Sequence, residues 1–342
     1  MTEDKYAGFL KNVTAESAAG QLLIVGFDGT RYTPAMGSGF KKLKPAGVIL
    51  FARNIENGGQ TKSLIADIKN LIEDITGLPP FVCVDQEGGR VSRLPKSYPA
   101  FPTAAKLGED GSEELVEKTY GQIGAILSDL GFNVDFAPVL DLGTNTESPV
   151  IGDRAFSPDA DKVARLGRAA IRGLRGAGIL ACGKHFPGHG DTSKDSHLDL
   201  PVDARPSGRL IEVEMNPFRM AVEERVEFMM TAHVIYPELD ETYPATLSKK
   251  IITGILREQM GYEGVIVGDD LDMKAIAEHW PDEEGTRLSF LAGADMAMVC
   301  HETPRRQKVF DATRAMIGAG ELDGDQTQAR LARILKLKGR LA

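Results

Sequence analysis

A fourteen-residue segment, KHFPGHGDTSKDSH, concentrates side chains that could do chemistry. It runs from Lys184 to His197 and holds three of the six histidines of the 342-residue chain, together with two aspartates. Histidines and carboxylates this close together could bind a metal ion, transfer protons or simply form a polar turn. The number of residues between the histidines and carboxylates helps to distinguish these three possibilities.

The metal-binding interpretation depends on His185 and His189, which have the four-residue spacing of zinc ligands on one helix. A proline and a glycine lie between them and disfavour a stable helix. Ligands on a loop stay open, with Asp191 or Asp195 as a third donor. A metal-dependent barrel hydrolase is therefore kept as an alternative function.

The acid–base interpretation depends on Asp195 and His197, which are two residues apart on a polar loop. A carboxylate at this distance can accept a hydrogen bond from the imidazole and move its pKa toward neutrality. A histidine held in this way can protonate a leaving group and later deprotonate water. A surface histidine with no role is the simpler alternative for one residue taken alone.

Carboxylates also end two apolar runs, FVCVD and VIVGDD. An isolated buried carboxylate is costly, so each must be paired or lie at an open edge. Asp85 could pair with Arg90 or Arg93, or it could accept hydrogen bonds from substrate hydroxyls. Of Asp269 and Asp270, at most one is expected to act as a nucleophile, while the other orients a neighbour or caps the helix that follows.

Eight short apolar runs separated by segments of helical periodicity predict the elements that position these side chains. The predicted strands are 21–27, 47–51, 81–85, 133–138, 179–185, 227–233, 264–269 and 295–300. The predicted helices are 60–76, 112–130, 159–177, 207–225, 248–260, 285–293 and 303–318. This alternation favours a (β/α)8 TIM-type barrel over a doubly wound open sheet, because no G-x-G-x-x-G follows the first strand.

In such a barrel the carboxyl ends of the strands meet on one face, where active sites lie. The residues predicted to end strands three, five, six and seven are Asp85, Lys184, His185, His233, Asp269 and Asp270. The sequence therefore predicts one site built from all of them.

The whole chain, 1–342, is predicted to be a single domain that finishes with a helix at about 324–342, because no flexible linker interrupts it. A net charge of −9 without a basic patch argues against nucleic acid and membrane partners. The beginning of the sequence lacks the pattern of a signal peptide, and the three cysteines lie in predicted strands. A cytoplasmic location is expected, and protein partners are not indicated.

Six motifs give the chain a recognisable resemblance. They are KHFPGHGDTSKDSHLDLP (184–201), DQEGGRV (85–91), NVDFAPVLD (133–141), IGDRAFS (151–157), TAHVIYP (231–237) and GDDLDM (268–273). Together they resemble the β-N-acetylglucosaminidases of glycoside hydrolase family 3. Bacterial cytoplasmic members of that family are single barrels, which matches the length of this chain.

The resemblance implies a role for each matching position. It makes Asp269 the nucleophile and His197 the general acid/base, with Asp195 as the partner of that histidine. It places the terminal sugar against five further residues, and it makes two others possible supporting members of the pocket. The five are Asp85, Arg93, Arg154, Lys184 and His185, and the two supporting residues are His233 and Asp270.

The reaction implied is a double displacement that retains anomeric configuration, releases terminal non-reducing N-acetylglucosamine and needs no cofactor or metal. Fragments from peptidoglycan turnover are the expected saccharide substrate. A neutral imidazole repels an incoming anion less than a carboxylate would, so phosphorolysis is an alternative within the family. A catalytically silent sugar-binding barrel is disfavoured, because binding alone does not require Asp269, Asp195 and His197.

Overall fold

Eight parallel strands form a closed barrel, and a computed structural model describes residues 2–145, 148–192, 200–301 and 303–341 of the chain. The barrel strands are β1 (Leu23–Val25), β2 (Gly47–Ile49), β3 (Phe81–Val84), β4 (Val134–Asp135), β5 (Leu180–Phe186), β6 (Phe228–Thr231), β9 (Val265–Gly268) and β10 (Ala297–Val299). Their order is β10-β1-β2-β3-β4-β5-β6-β9. Backbone hydrogen bonds from Asp295 to Ile266 at 2.8 Å and from Gly268 to Met296 at 3.2 Å close the ring between β9 and β10.

The predicted (β/α)8 fold is thus confirmed, and each of the eight predicted strands overlaps an observed one. A two-stranded antiparallel hairpin, β7 (Ile235–Tyr236) and β8 (Asp240–Pro244), was not predicted and lies outside the barrel sheet. Its strands are too short to give a readable alternation of apolar and polar residues.

Helices surround the barrel. The ends of most predicted helices lie within two or three residues of the ends of an observed helix. The α-helices are α1 (Thr2–Asn12), α2 (Ala15–Gln21), α3 (Pro34–Leu43), α4 (Gly58–Thr76), α5 (Ala104–Asp110), α6 (Glu113–Leu130), α7 (Ala160–Gly176), α8 (Ser207–Arg209), α9 (Asn216–Glu223), α10 (Lys274–Ala277), α11 (Asp282–Ala292), α12 (Thr303–Gly318) and α13 (Gly324–Lys338). Short 3₁₀ turns occur at Ala52–Asn54, Gly152–Arg154 and Ala245–Leu247, and π-helical turns at Leu210–Glu214 and Lys250–Gln259.

The amino-terminal end of the barrel is filled by aromatic side chains. Phe81 and Phe228 meet edge to face with ring centroids 5.3 Å apart, and Phe136 packs against Phe228 in the same way at 6.4 Å. Below them, α13 inserts Lys338, whose ammonium lies 5.2 Å from the centre of the Phe81 ring. This end is therefore closed, and the open end lies at the carboxyl ends of the strands.

None of the helices in the described ranges is long and apolar enough to cross a membrane.

Candidate active site

A cavity of about 340 Å³ opens at the carboxyl ends of the barrel strands, within the size range of small-molecule sites. Seven of the residues that the sequence predicted for the site line this cavity. They are Asp85, Arg93, Arg154, Lys184, His185, Asp269 and Asp270. The barrel thus brings together residues that are far apart in the sequence, such as Asp85 and Asp270, which are separated by 185 positions.

Four charged side chains form a connected network on one wall of the cavity. Lys184 donates to Asp85 at 2.8 Å and also lies 2.7 Å from a carboxylate oxygen of Glu87. The guanidinium of Arg154 donates one hydrogen bond to each carboxylate oxygen of Glu87, at 2.8 and 2.7 Å. The glycines that follow Glu87, Gly88 and Gly89, have φ of +94° and +54° and let the chain turn sharply back. Asp85 therefore pairs with a lysine of β5, two strands along the barrel, rather than with the nearby Arg90 or Arg93.

Burial and charge oppose each other in this network. Burial alone would raise the pKa of Glu87, but Arg154 and Lys184 outweigh it and hold that pKa well below its ordinary value. Burial alone would likewise lower the pKa of Lys184, but Asp85 and Glu87 raise it above the ordinary value. Glu87 and Lys184 therefore keep their charges at neutral pH. The side chain of Asp85 is 20% exposed, so it can accept hydrogen bonds from the hydroxyl groups of a ligand.

The end of β5 is held by a second buried carboxylate, Asp141. Its Oδ2 lies 2.7 Å from Nδ1 of His185, and its oxygens also accept from the backbone N–H of His185 and, at 2.6 Å, of His189. Burial would raise the pKa of Asp141, but the two histidines lower it below the ordinary value. The peptide bond that joins Lys184 to His185 is cis.

His189 packs against His185, with their ring centroids 5.9 Å apart, and both residues line the cavity. Its Nδ1 is 2.7 Å from the hydroxyl of Thr192, and burial together with His185 lowers its pKa to about 4. His189 is therefore neutral at pH 7. Within the described residues no group of three or more histidine, cysteine or acidic side chains is arranged to hold a metal ion.

A turn that contains three aspartates follows β9 on the opposite wall. Asp270 is buried, and its Oδ1 accepts from the backbone N–H of Asp272 and of Cys300, both at 3.0 Å. Burial and the neighbouring carboxylates Asp272 and Asp269 raise the pKa of Asp270 to about 8. Asp270 therefore holds a proton more readily than an ordinary carboxyl group, which limits the negative charge next to Asp269.

His301, which the sequence analysis did not select, completes this wall together with Phe51. His301, which follows β10, lines the cavity and lies against Phe51 with ring centroids 5.2 Å apart. Its Nδ1 is 3.0 Å from a guanidinium nitrogen of Arg53, and its Nε2 is 3.6 Å from Asp270. A guanidinium can only donate, so Nδ1 is the acceptor.

The remaining predicted residues differ in where they lie. Arg93 lines the cavity and is partly exposed. His233 is fully buried beneath the acidic turn, where Nε2 donates to the backbone oxygen of Asp270 at 3.0 Å and Nδ1 lies 2.8 Å from Thr246. Asp195 and His197 lie outside the described residues.

Glu87 and Asp141 were missed as site residues, although both lay in quoted motifs. The rule that found Asp85 and Asp269, a charge at the end of an apolar run, also fits Asp141 in NVDFAPVLD. The signal for Glu87 was its position in DQEGGRV, where it is the second acidic residue after the apolar run and directly precedes two glycines.

The barrel and its charged cavity define a class of enzyme that acts on a polar small molecule at the carboxyl ends of the strands. Residues 14–337 match the model of the glycosyl hydrolase family 3 N-terminal domain. The chain belongs to this family and is a glycoside hydrolase, as the resemblance implied.

Individual relatives agree with this assignment. A β-hexosaminidase of Thiobacillus denitrificans is 39% identical over 86% of this chain and 79% of its own length. The structure of a family 3 β-N-acetylglucosaminidase from Paenibacillus sp. superposes with a TM-score of 0.93 at 38% identity, covering 96% of this chain but 62% of that one.

The NagZ structure from Neisseria gonorrhoeae in complex with N-trifluoroacetyl-D-glucosamine superposes with a TM-score of 0.78 at 33% identity. It covers 93% of this chain and 98% of that one.

Proposed function

We propose that this chain is a retaining exo-β-N-acetylglucosaminidase that releases terminal non-reducing N-acetylglucosamine through a covalent glycosyl-enzyme. One observation carries the proposal: a single cavity holds Asp269 on one wall and the charged network of Asp85, Lys184 and Arg154 on the other. The relatives named β-hexosaminidase and the neighbour bound to an N-acylglucosamine analogue support the same substrate.

Asp269 is the proposed nucleophile. It follows a buried strand, so the scaffold fixes the direction from which its carboxylate attacks. The raised pKa of the neighbouring Asp270 reduces the negative charge that Asp269 has beside it. Attack on the anomeric carbon forms the glycosyl-enzyme, and water then releases the sugar, so that two inversions retain the configuration.

The charged network is proposed to bind the terminal sugar. Asp85 accepts hydrogen bonds from sugar hydroxyls, while Lys184, Arg154 and Arg93 donate to hydroxyl and N-acetyl oxygens. His185 contributes the ring nitrogen that does not contact Asp141. Because the network is already paired, it meets the sugar with little rearrangement.

His197, with Asp195 as its partner, is proposed as the general acid/base from the family motif. It protonates the departing oxygen and later deprotonates the attacking water. Fragments of peptidoglycan turnover are the proposed source of substrate, and a cytoplasmic location stays a prediction from the sequence.

The nucleophile is tested by replacing Asp269 with alanine. Turnover of 4-nitrophenyl β-N-acetylglucosaminide is expected to fall about a thousandfold or more, as for other covalent nucleophiles. Asp129→Asn, at an exposed ion pair with Lys62 outside the barrel, is the matched control and should keep full activity. Substantial turnover by a folded Asp269→Ala protein would refute the assignment.

The acid role is tested by comparing two substrates in His197→Ala. An unactivated disaccharide of N-acetylglucosamine should slow far more than the nitrophenyl glycoside, because only a poor leaving group needs protonation. Equal losses on both substrates would contradict the role.

The two alternatives are tested with the same assay. Product analysis with and without phosphate distinguishes free N-acetylglucosamine from its 1-phosphate, and the second product would identify a phosphorylase. Loss of activity with a chelator, restored by zinc, would identify a metal-dependent hydrolase instead.

A further inference from the structure

Asp141 is a fully buried carboxylate that contacts two residues of the cavity wall, His185 and His189, without lining the cavity itself. Its side chain is fully buried, and it accepts from the ring Nδ1 of His185 at 2.7 Å. It also accepts from the backbone N–H of His185 at 3.2 Å and of His189 at 2.6 Å. One side chain therefore holds the orientation of an imidazole and the path of the chain that follows it.

The contact with Nδ1 determines where the ring proton of His185 lies. A carboxylate whose pKa is held low can only accept, so Nδ1 must carry a hydrogen. Nε2 is then the one ring nitrogen of His185 that can contact a ligand in the cavity. Without Asp141, the ring could rotate or exchange its tautomer, and the sugar would meet a different group.

The backbone geometry shows how the side chain of Asp141 reaches His185. Residues 139–140 run beside the end of β5, with Leu140 N–H donating to the backbone oxygen of Lys184 at 2.7 Å. Asp141 therefore comes from the neighbouring fourth β/α unit and reaches His185 across this pairing. The sugar-binding end of β5 is held from outside its own segment.

We propose that Asp141 is a positioning residue for the glycosidase reaction, which keeps the proton of His185 on Nδ1 and presents Nε2 to the terminal sugar. This inference rests on the proposed function in assigning His185 to the sugar. It extends that function by naming a residue that acts through His185 and does not touch the substrate.

The ring proton is tested first, without any sugar. In ¹⁵N-histidine-labelled protein, Nδ1 of His185 is expected to be protonated throughout pH 6 to 9, with the signal assigned by its loss in His185→Ala. An unprotonated Nδ1 in the native protein at any pH in this range overturns the proposal.

The variant Asp141→Asn then reverses the hydrogen bond. An asparagine can still accept from the backbone with its oxygen, while its amide donates to Nδ1 and moves the neutral ring proton to Nε2. We expect the NMR tautomer to switch and kcat/KM to fall about 10- to 100-fold, the range found when carboxylates that orient metal-bound histidines are removed. An unchanged tautomer in this variant contradicts the proposal.

Coupling to His185 separates positioning from a general structural role. In a His185→Ala background, Asp141→Asn should change kcat/KM by less than about twofold, because the group it positions is gone. The same 10- to 100-fold loss in both backgrounds would show that Asp141 acts through the fold alone. A competitive inhibition constant for N-acetylglucosamine, measured in parallel, reports sugar binding independently of turnover.

The matched control is Asp135→Asn. Asp135 is also a fully buried aspartate of the fourth unit that accepts a backbone hydrogen bond, from Gln86 at 2.9 Å. The Asp135→Asn variant should leave the nitrogen signals of His185 unchanged. A tautomer switch of His185 in this variant would overturn the specific role of Asp141. If the native protein failed to cleave N-acetylglucosaminides, the proposed function would fail while the ring-proton result would still stand.

Discussion

Glu87 shows how single residues prepare the cavity before any sugar arrives. It is 4% exposed and holds two cations, Lys184 and Arg154, within 2.8 Å of its oxygens. The two cations would otherwise repel each other and seek water. The fixed positions of Lys184 and Arg154 therefore depend on the carboxylate of Glu87, which lies between them in the cavity wall.

Replacing Glu87 with glutamine should destabilise the protein by about 3–5 kcal/mol, because two buried cations lose their shared counter-charge. Glu113→Gln, which removes an exposed pair with Arg165, is the control and should cost about 1 kcal/mol or less. Urea denaturation of both variants measures the difference. Similar small losses in the two would mean that water replaces the buried carboxylate.

At the scale of elements, most of the buried strands could be predicted because they are short apolar runs separated by segments of helical periodicity. The sequence predicted Asp85, Lys184 and Asp269 at one face because their strands end there. It could not predict which cation pairs with Asp85, since that partner, Lys184, is 99 residues away and depends on barrel closure. The rule was not extended to His301, although that residue follows the eighth predicted strand.

The contact between the first and last strands gives a test at this scale. A Cβ added to Gly26, just after β1, would lie 1.9 Å from the backbone oxygen of Cys300, so Gly26→Ala should force β1 and β10 apart. We expect a loss of about 1–3 kcal/mol from overpacking, together with reduced activity because His301 adjoins the displaced residue.

Gly176→Ala, at the end of α7, has no atom within 4 Å of the added Cβ and is the matched control. It should leave both the urea midpoint and the activity nearly unchanged. Equal urea midpoints for the two variants would show that the strands accommodate the methyl group.

At the scale of the whole molecule, the two ends of the barrel use buried charge differently. At the closed end, the fully buried carboxylate of Asp295 is paired with Arg257 and Arg333, each at 2.7 Å. At the open end, the paired charges line a cavity. In a (β/α)8 barrel, the residues at the closed end are expected to stabilise the fold and those at the open end to perform the chemistry.

Lys338 at the closed end predicts a dependence of stability on pH. Its ammonium donates to the backbone oxygens of Ala46 and Pro79, and burial lowers its pKa to about 7. Between pH 7 and about 10 the unfolded chain binds a proton that the folded chain does not, so stability should rise with pH by up to about 1.4 kcal/mol per unit.

The measurement compares urea unfolding at pH 7 and pH 9 for the native protein and for Lys338→Met. The native protein should gain stability over this interval relative to the variant, since other groups titrate equally in both. An identical change in the two proteins would mean that Lys338 keeps its proton when buried.

The three cysteines provide a consequence for motion. Cys83 in β3, Cys182 in β5 and Cys300 after β10 are fully buried, and burial raises the pKa of each thiol. A thiol reagent can reach Cys83 and Cys182 only when the surrounding strands open, whereas Cys300 borders the cavity. The chain thus contains three natural reporters around its ring, whose relative labelling rates would reveal whether the barrel opens as one unit or strand by strand.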